Sequence, residues 1–224
     1  MNLIILNWKY HHLNMSKEDL VKRYDKLEWH ILELMCRYID NHLDTMQGPD
    51  EYNLDVHSFC ILCHAAFEEY MEDITLYSIE RIDKEFNSKY RKFSYATLCL
   101  LHFDEHELTL NKEDKWNGTL NDYLKERISA RKAELSKYAT QENHGIDVKY
   151  LRKLLVPVGI DVPKDPKYLT SLENLKNVRG AYAHSYARSN RPMAPEDAMN
   201  TVLDVLEMIQ KIKDKAINMS YYII

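Results

Sequence analysis

Apolar residues recur at intervals of four and three through the first part of the chain, at Leu20, Tyr24, Leu27, Ile31, Leu34 and Tyr38. That spacing puts them on one face of an α-helix. Ser16, with Asp19 three residues on, reads as an N-cap followed by an acidic first turn, so one long helix is predicted over about residues 16–46. The polar stretch "QGPDEYN" breaks the pattern, and Val56, Phe59, Cys63, Phe67, Tyr70, Ile74 and Tyr77 carry the same spacing through a second long helix that ends near Asn87. Two long neighbours with apolar stripes imply a bundle.

The rest of the chain reads the same way. An apolar segment from Phe93 to Phe103 precedes the polar loop "DEHELTLNKEDKWNG", and a mixed-charge helix follows from about Leu120 to Tyr138. Asp147 is placed to cap "VKYLRKLLVPVGI", which Pro157 and Gly159 end. "DVPKDPKY" reads as a linker, Leu169 to Ala187 as a helix, and Pro195 as the first turn of a last helix reaching about Met219. Beyond a doubtful strand at residues 3–8 there is no alternating pattern, no repeat and no low complexity. The fold class is therefore all-α: an up-down helical bundle with inserted and terminal helices, a single domain over 1–224 with an insertion at about 104–145.

Composition narrows the class. With 45% hydrophobic residues in 224 the chain can bury a real core, while 5 Gly, 6 Pro and 29% charged residues argue against disorder. No stretch approaches 18 apolar residues, so no membrane partner is expected. The N-terminal "MNLIILNWKYHH" lacks a basic region and a small-residue cleavage site, and a cytoplasmic location is expected. The net charge of −5 excludes a uniformly basic surface but not a local patch. From Lys164 to Arg191, six cations face two acids.

Several motifs have bland readings. "CILCH" (Cys60 to His64) matches a haem-attachment pattern, yet Cys60 and Cys63 lie on the apolar stripe and are read as small buried hydrophobes. The four cysteines are read as free thiols. His11 with His12, and His102 with His106, would bind a metal only if further ligands converged; loop residues are the simpler reading, and no metal or other cofactor is implied.

"RGAYAHSY" (Arg179 to Tyr186) is different. An Arg a few residues before a His is weak on its own, since Arg23 with His30 and Arg37 with His42 also satisfy it. Requiring a Tyr two residues after the His leaves only Arg179, His184 and Tyr186, and these alone lie in the basic segment. Metal-free RNA cleavage needs a base for the 2′-OH proton, an acid for the leaving 5′ oxygen and a cation for the phosphorane charge. Histidine can do either proton task, and arginine is a fixed, bidentate phosphate ligand. One chain carries one such histidine, so two copies would supply acid and base together. Arg179 and His184 lie about 140° apart on an ideal helix, which calls for a bend or a partner to close the site. Gly180, Ala183 and Ala187 form a small-residue strip along which a second helix can approach. Lys176, Arg188 and Arg191 are the expected RNA-binding cations. A helical interaction scaffold, with Arg179 at the surface and Tyr186 in the core, is the competing reading of the same residues.

The pattern R-x4-H-x-Y in a penultimate helix, preceded by "LRKLLVPVGID" and "YLTSLENLKNV", resembles the HEPN superfamily (higher eukaryotes and prokaryotes nucleotide-binding), closest to its RiboL-PSP-HEPN-like group. The specific part covers about residues 147–190. The resemblance implies a metal-independent endoribonuclease of a defence or toxin–antitoxin system, a homodimer with Arg179 and His184 catalytic at its interface, and RNA as substrate. It further implies an antitoxin partner or a nucleotidyltransferase that modifies Tyr186 with AMP. Gly180 departs from the Asn, Asp or His usual after the motif arginine. A non-catalytic HEPN module binding RNA or nucleotide is the alternative within the same resemblance.

Overall fold

A computed structural model describes residues 15–43, 46–88, 93–102, 119–184 and 192–219, the side chains of 181–184 excepted. The doubtful strand at 3–8 and the residues His11, His12 and His106 lie outside the described residues. So do Tyr186, Arg188 and Arg191.

The described residues form helices and connecting segments, with no strand. Helix α1 (Lys17–Tyr38) starts where Ser16 and Asp19 satisfy one another's backbone: the Asp19 N–H donates to Ser16 Oγ (3.1 Å) and the Ser16 N–H to Asp19 Oδ2 (3.0 Å). The predicted helix over 16–46 is shorter than expected. It breaks at Ile39, whose φ of −117° leaves the helical range as its side chain turns fully into the core, and a one-turn helix α2 (Asp40–Leu43) follows.

Helix α3 (Pro49–Phe86) has Pro49 in its first turn, so the "QGPDEYN" break is already helical from its third residue. Its 38 residues span about 57 Å. It is buried on several sides, because α1 and the last two helices, α7 (Pro166–His184) and α8 (Pro195–Asn218), all pack against it. The buried Thr75 and Ser78 hydroxyls donate to the Met71 and Ile74 carbonyls, which removes the cost of their burial. Asp73 is buried and takes Arg23 of α1 at 2.5 Å, and Tyr70 Oη donates to the Leu20 carbonyl. Arg81 donates to the carbonyls of Ala216, Ile217 and Met219, closing the end of α8.

Helices α4 (Tyr95–His102) and α5 (Leu120–Lys137) flank α3 at its C-terminal half. Although α5 falls inside the stretch 104–145, it buries Ile128 and Leu135 in the common core, and Lys132 reaches Glu80 (2.5 Å) and Asp83 (2.7 Å) on α3. A π-helical turn, Tyr138–Glu142, extends α5. Helix α6 (Val148–Leu155) begins at the Asp147 cap, whose Oδ1 accepts from the Tyr150 N–H at 3.0 Å. It ends as predicted through a 3₁₀ turn, Val156–Val158, and Gly159 at φ 77°. A Cβ at Gly159 would be strained and would also stand 3.2 Å from the Ala96 Cα.

Cys60 and Cys63 are buried in the core, as the apolar-stripe reading expects, and burial pushes the Cys60 thiol up to about 12. Among the described residues no group of three His, Cys, Asp or Glu side chains could hold a metal ion, and no helix is long and apolar enough to cross a membrane.

Candidate active site

Helix α7 carries the motif, and its first half is fastened to α8. Asp165 Oδ1 accepts from the Lys167 N–H (2.9 Å), so Asp165 caps the helix with Pro166 at its first position. The helix therefore begins three residues before the predicted Leu169, because Pro166 initiates it rather than extending a linker. Tyr168, Ser171, Leu172 and Leu175 are buried, an apolar seam on α3 and α8. Tyr168 Oη donates to Glu207 (2.8 Å), Ser171 Oγ to Asp204 (2.9 Å), and Lys167 pairs with Glu207 (2.6 Å) and Asp204 (3.2 Å). Lys167 is thus committed to the acids of α8, so the basic segment is less cationic around the motif than its residue count suggests.

One turn beyond Leu175, Arg179 reaches into a cleft of about 350 Å³ between α7, α3 and the segment entering α6. Arg179 Nη1 donates to the His144 carbonyl oxygen. No carboxylate among the described residues forms a direct ion pair with this guanidinium, although the charge of Glu68 acts on it across the cleft. Gly145 makes room for the arrangement: a Cβ there would stand 3.1 Å from the Tyr150 ring and 3.8 Å from Arg179 Nη1. Lys176 also lines the cleft, with its ammonium 3.4 Å from Glu173 and 3.7 Å from Asp147. Gly180 is exposed, and a Cβ there would meet nothing within 4 Å.

The far wall of the cleft comes from α3. His64 is buried there, and burial first, then the nearby Arg179 charge, lower its imidazole to about 4. It is neutral at pH 7 and does not repel the guanidinium. A base this weak is poorly matched to proton abstraction near neutrality. Glu68, one turn on, has Oε2 3.7 Å from His64 Nδ1, and burial raises its carboxyl against the opposing charges of Arg179 and His144.

Glu72 continues this row. Burial, then the charges of Glu68, Asp73 and Glu69, raises its carboxyl to about 7. A carboxyl raised on folding adds stability below the ordinary carboxylate range, and that contribution is lost as pH rises through about 7. Glu72→Gln should therefore stabilise the fold at pH 8 by about 1 kcal/mol, after discounting for partial exposure, and change little at pH 4. Thermal melts at the two pH values check this.

The backbone is helical to His184, and on an ideal helix that residue lies about 140° around from Arg179. Sequence reasoning missed His64, Glu68, His144 and Tyr150. The usable signal was the four-residue spacing of His64, Glu68 and Glu72, polar positions on a helix that carries much of the core. The two decoy pairs are spent on structure: Arg23 on Asp73, and His42 on Asp55 (3.0 Å) and Gln47.

The model of the RiboL-PSP-HEPN family matches residues 18–218, from the first turn of α1 to the last residue of α8. Comparisons with curated proteins and with solved structures gave no match.

Proposed function

The chain belongs to the RiboL-PSP-HEPN family, and from that membership and the surroundings of Arg179 we propose that it is a metal-independent endoribonuclease acting as a homodimer in a prokaryotic defence or toxin–antitoxin system. The observation that carries the reading is an arginine held at the mouth of a cleft by a neutral carbonyl, with no carboxylate among the described residues in a direct ion pair with it, five residues before His184. In the proposed reaction His184 of one copy takes the 2′-OH proton. The 2′ oxygen then attacks phosphorus, and Arg179 holds the charge of the phosphorane. His184 of the second copy protonates the departing 5′ oxygen, leaving a 2′,3′-cyclic phosphate and a 5′-hydroxyl. The two copies are proposed to meet along the end of α7, where the small residues Gly180 and Ala183 let helices approach, Ala187 of the same sequence strip lying outside the described residues.

The test is incubation of the purified chain with single-stranded RNA in excess EDTA. Cleavage supports the enzyme. Binding without cleavage supports the non-catalytic module instead, which the departure at Gly180 favours, and the absence of both binding and cleavage supports a scaffold.

Lys176, Arg188 and Arg191 are proposed to meet RNA phosphates, so RNA affinity should fall steeply with salt through counterion release. Replacing any one by Ala should weaken binding and flatten the salt slope by up to about 1. Filter binding across a salt series checks this, and unchanged slopes in all three variants would put the RNA elsewhere. Control by an antitoxin, or by a nucleotidyltransferase adding AMP to Tyr186, fits the same site: phosphate and a base placed there repel the RNA backbone and fill its space.

A further inference from the structure

A larger cleft, of about 710 Å³, lies where the C-terminal end of α5 and its π turn meet α6 and the 3₁₀ turn after it. Its lining does not overlap that of the Arg179 cleft. Four cations line it, Arg131, Lys137, Arg152 and Lys153, against two acids. Both acids are engaged: Glu134 by Arg131 at 2.6 Å and Glu142 by Lys137 at 2.9 Å. No carboxylate among the described residues pairs with Arg152 or Lys153; the Lys153 ammonium instead lies 5.3 Å from the centre of the Tyr138 ring. The floor is apolar, from Leu135, Val156 and Pro157.

Two donors in this lining, Tyr138 Oη and Arg131 Nε, are buried with no hydrogen-bond partner among the described residues. Buried donors are normally satisfied, so these two side chains of the lining have donors free for an acceptor that reaches them on a small side-chain shift. The turn itself is unusual. The Asn143 N–H donates to the Tyr138 carbonyl (2.8 Å) in the i to i+5 pattern that recurs at functional sites.

We propose that this cleft is a second ligand site that binds the phosphate of a nucleotide, with Arg152, Lys153, Tyr138 and Arg131 on the phosphate and the apolar floor under the base. The volume exceeds what a bare phosphate needs and falls within the range of small-molecule pockets. The choice of a nucleotide among phosphate esters rests on the ribonuclease reading. The nucleotide is either free or part of an RNA strand.

The test uses the full chain carrying Arg179→Ala, so that RNA is neither cut nor held by that guanidinium. Two probes are titrated at low salt: 5′-AMP by calorimetry and a fluorescent decamer of single-stranded RNA by polarisation. Adding R152E with K153E, both exposed positions, should weaken binding at least tenfold, and Tyr138→Phe should weaken it severalfold. Loss with both probes assigns the site to free nucleotide; loss with RNA alone assigns it to the strand. If the charge-reversed chain has lost its helical circular dichroism, Tyr138→Phe alone decides, and unchanged binding overturns the proposal. So does equal binding in all variants, or no binding of either probe. The ribonuclease reading fails separately, through the EDTA assay on the unaltered chain, and that failure leaves the AMP titration able to succeed.

Discussion

Replacing His184 with alanine should lower RNA cleavage by about 10²–10⁴, the range ascribed to general acid–base catalysis, without lowering the melting temperature. The loss belongs at the upper end if both copies in a dimer contribute, because the substitution removes the base and the acid together. Subunit mixing separates this from a one-histidine site. Unaltered chains diluted into excess His184→Ala chains should lose activity as mixed dimers form, beyond the loss from dilution. Specific activity that follows the fraction of unaltered chain would assign both proton transfers to one protomer, and His144, which lines the Arg179 cleft, would become the second group to replace.

Arg179→Ala should cost about 10²–10³ in turnover, as expected for removing one preorganised charge from the developing phosphorane. Its contribution to the fold is small: the bond to the His144 carbonyl is a hydrogen bond to a neutral acceptor from an exposed side chain, worth about 1 kcal/mol net. Arg179→Lys keeps the charge but loses the planar fork, which cannot then hold the carbonyl and a phosphate together. That variant should recover only part of the turnover, with KM closer to the unaltered protein than kcat. A lysine variant with full activity would reduce Arg179 to a source of positive potential.

The fold was largely legible because helical periodicity, caps and breakers are local. Ser16, Asp147, Pro157 with Gly159, and Pro195 stand at the ends they were expected to mark. One error fell where tertiary packing decided, and the other on a local cap. Ile39 ends α1 because the core takes its side chain, although the residues around it remain compatible with helix. Pro166 is followed by helix because Asp165 caps it, a role that a count of linker-type residues hides.

The sequence singles out the candidate motif and does not show its surroundings. Arg179 could be singled out from spacing and local charge. That it rests on the His144 carbonyl, and that His64 lies behind it with a lowered imidazole, depends on contacts between α3, α7 and the entry to α6 that no short-range pattern encodes. Lys176, expected as an RNA-binding cation, is flanked by Glu173 and Asp147, the latter also the cap of α6.

The most direct measurement is the identity of the new RNA ends. A defined single-stranded RNA is incubated with the full chain in excess EDTA, and the fragments are analysed by mass spectrometry beside those from the His184→Ala chain. Attack by the 2′-OH predicts 2′,3′-cyclic phosphate and 5′-hydroxyl ends that are absent from the variant. Fragments with 5′-phosphate ends, cleavage that needs an added divalent ion, or the same cyclic ends from the His184→Ala chain would contradict the account.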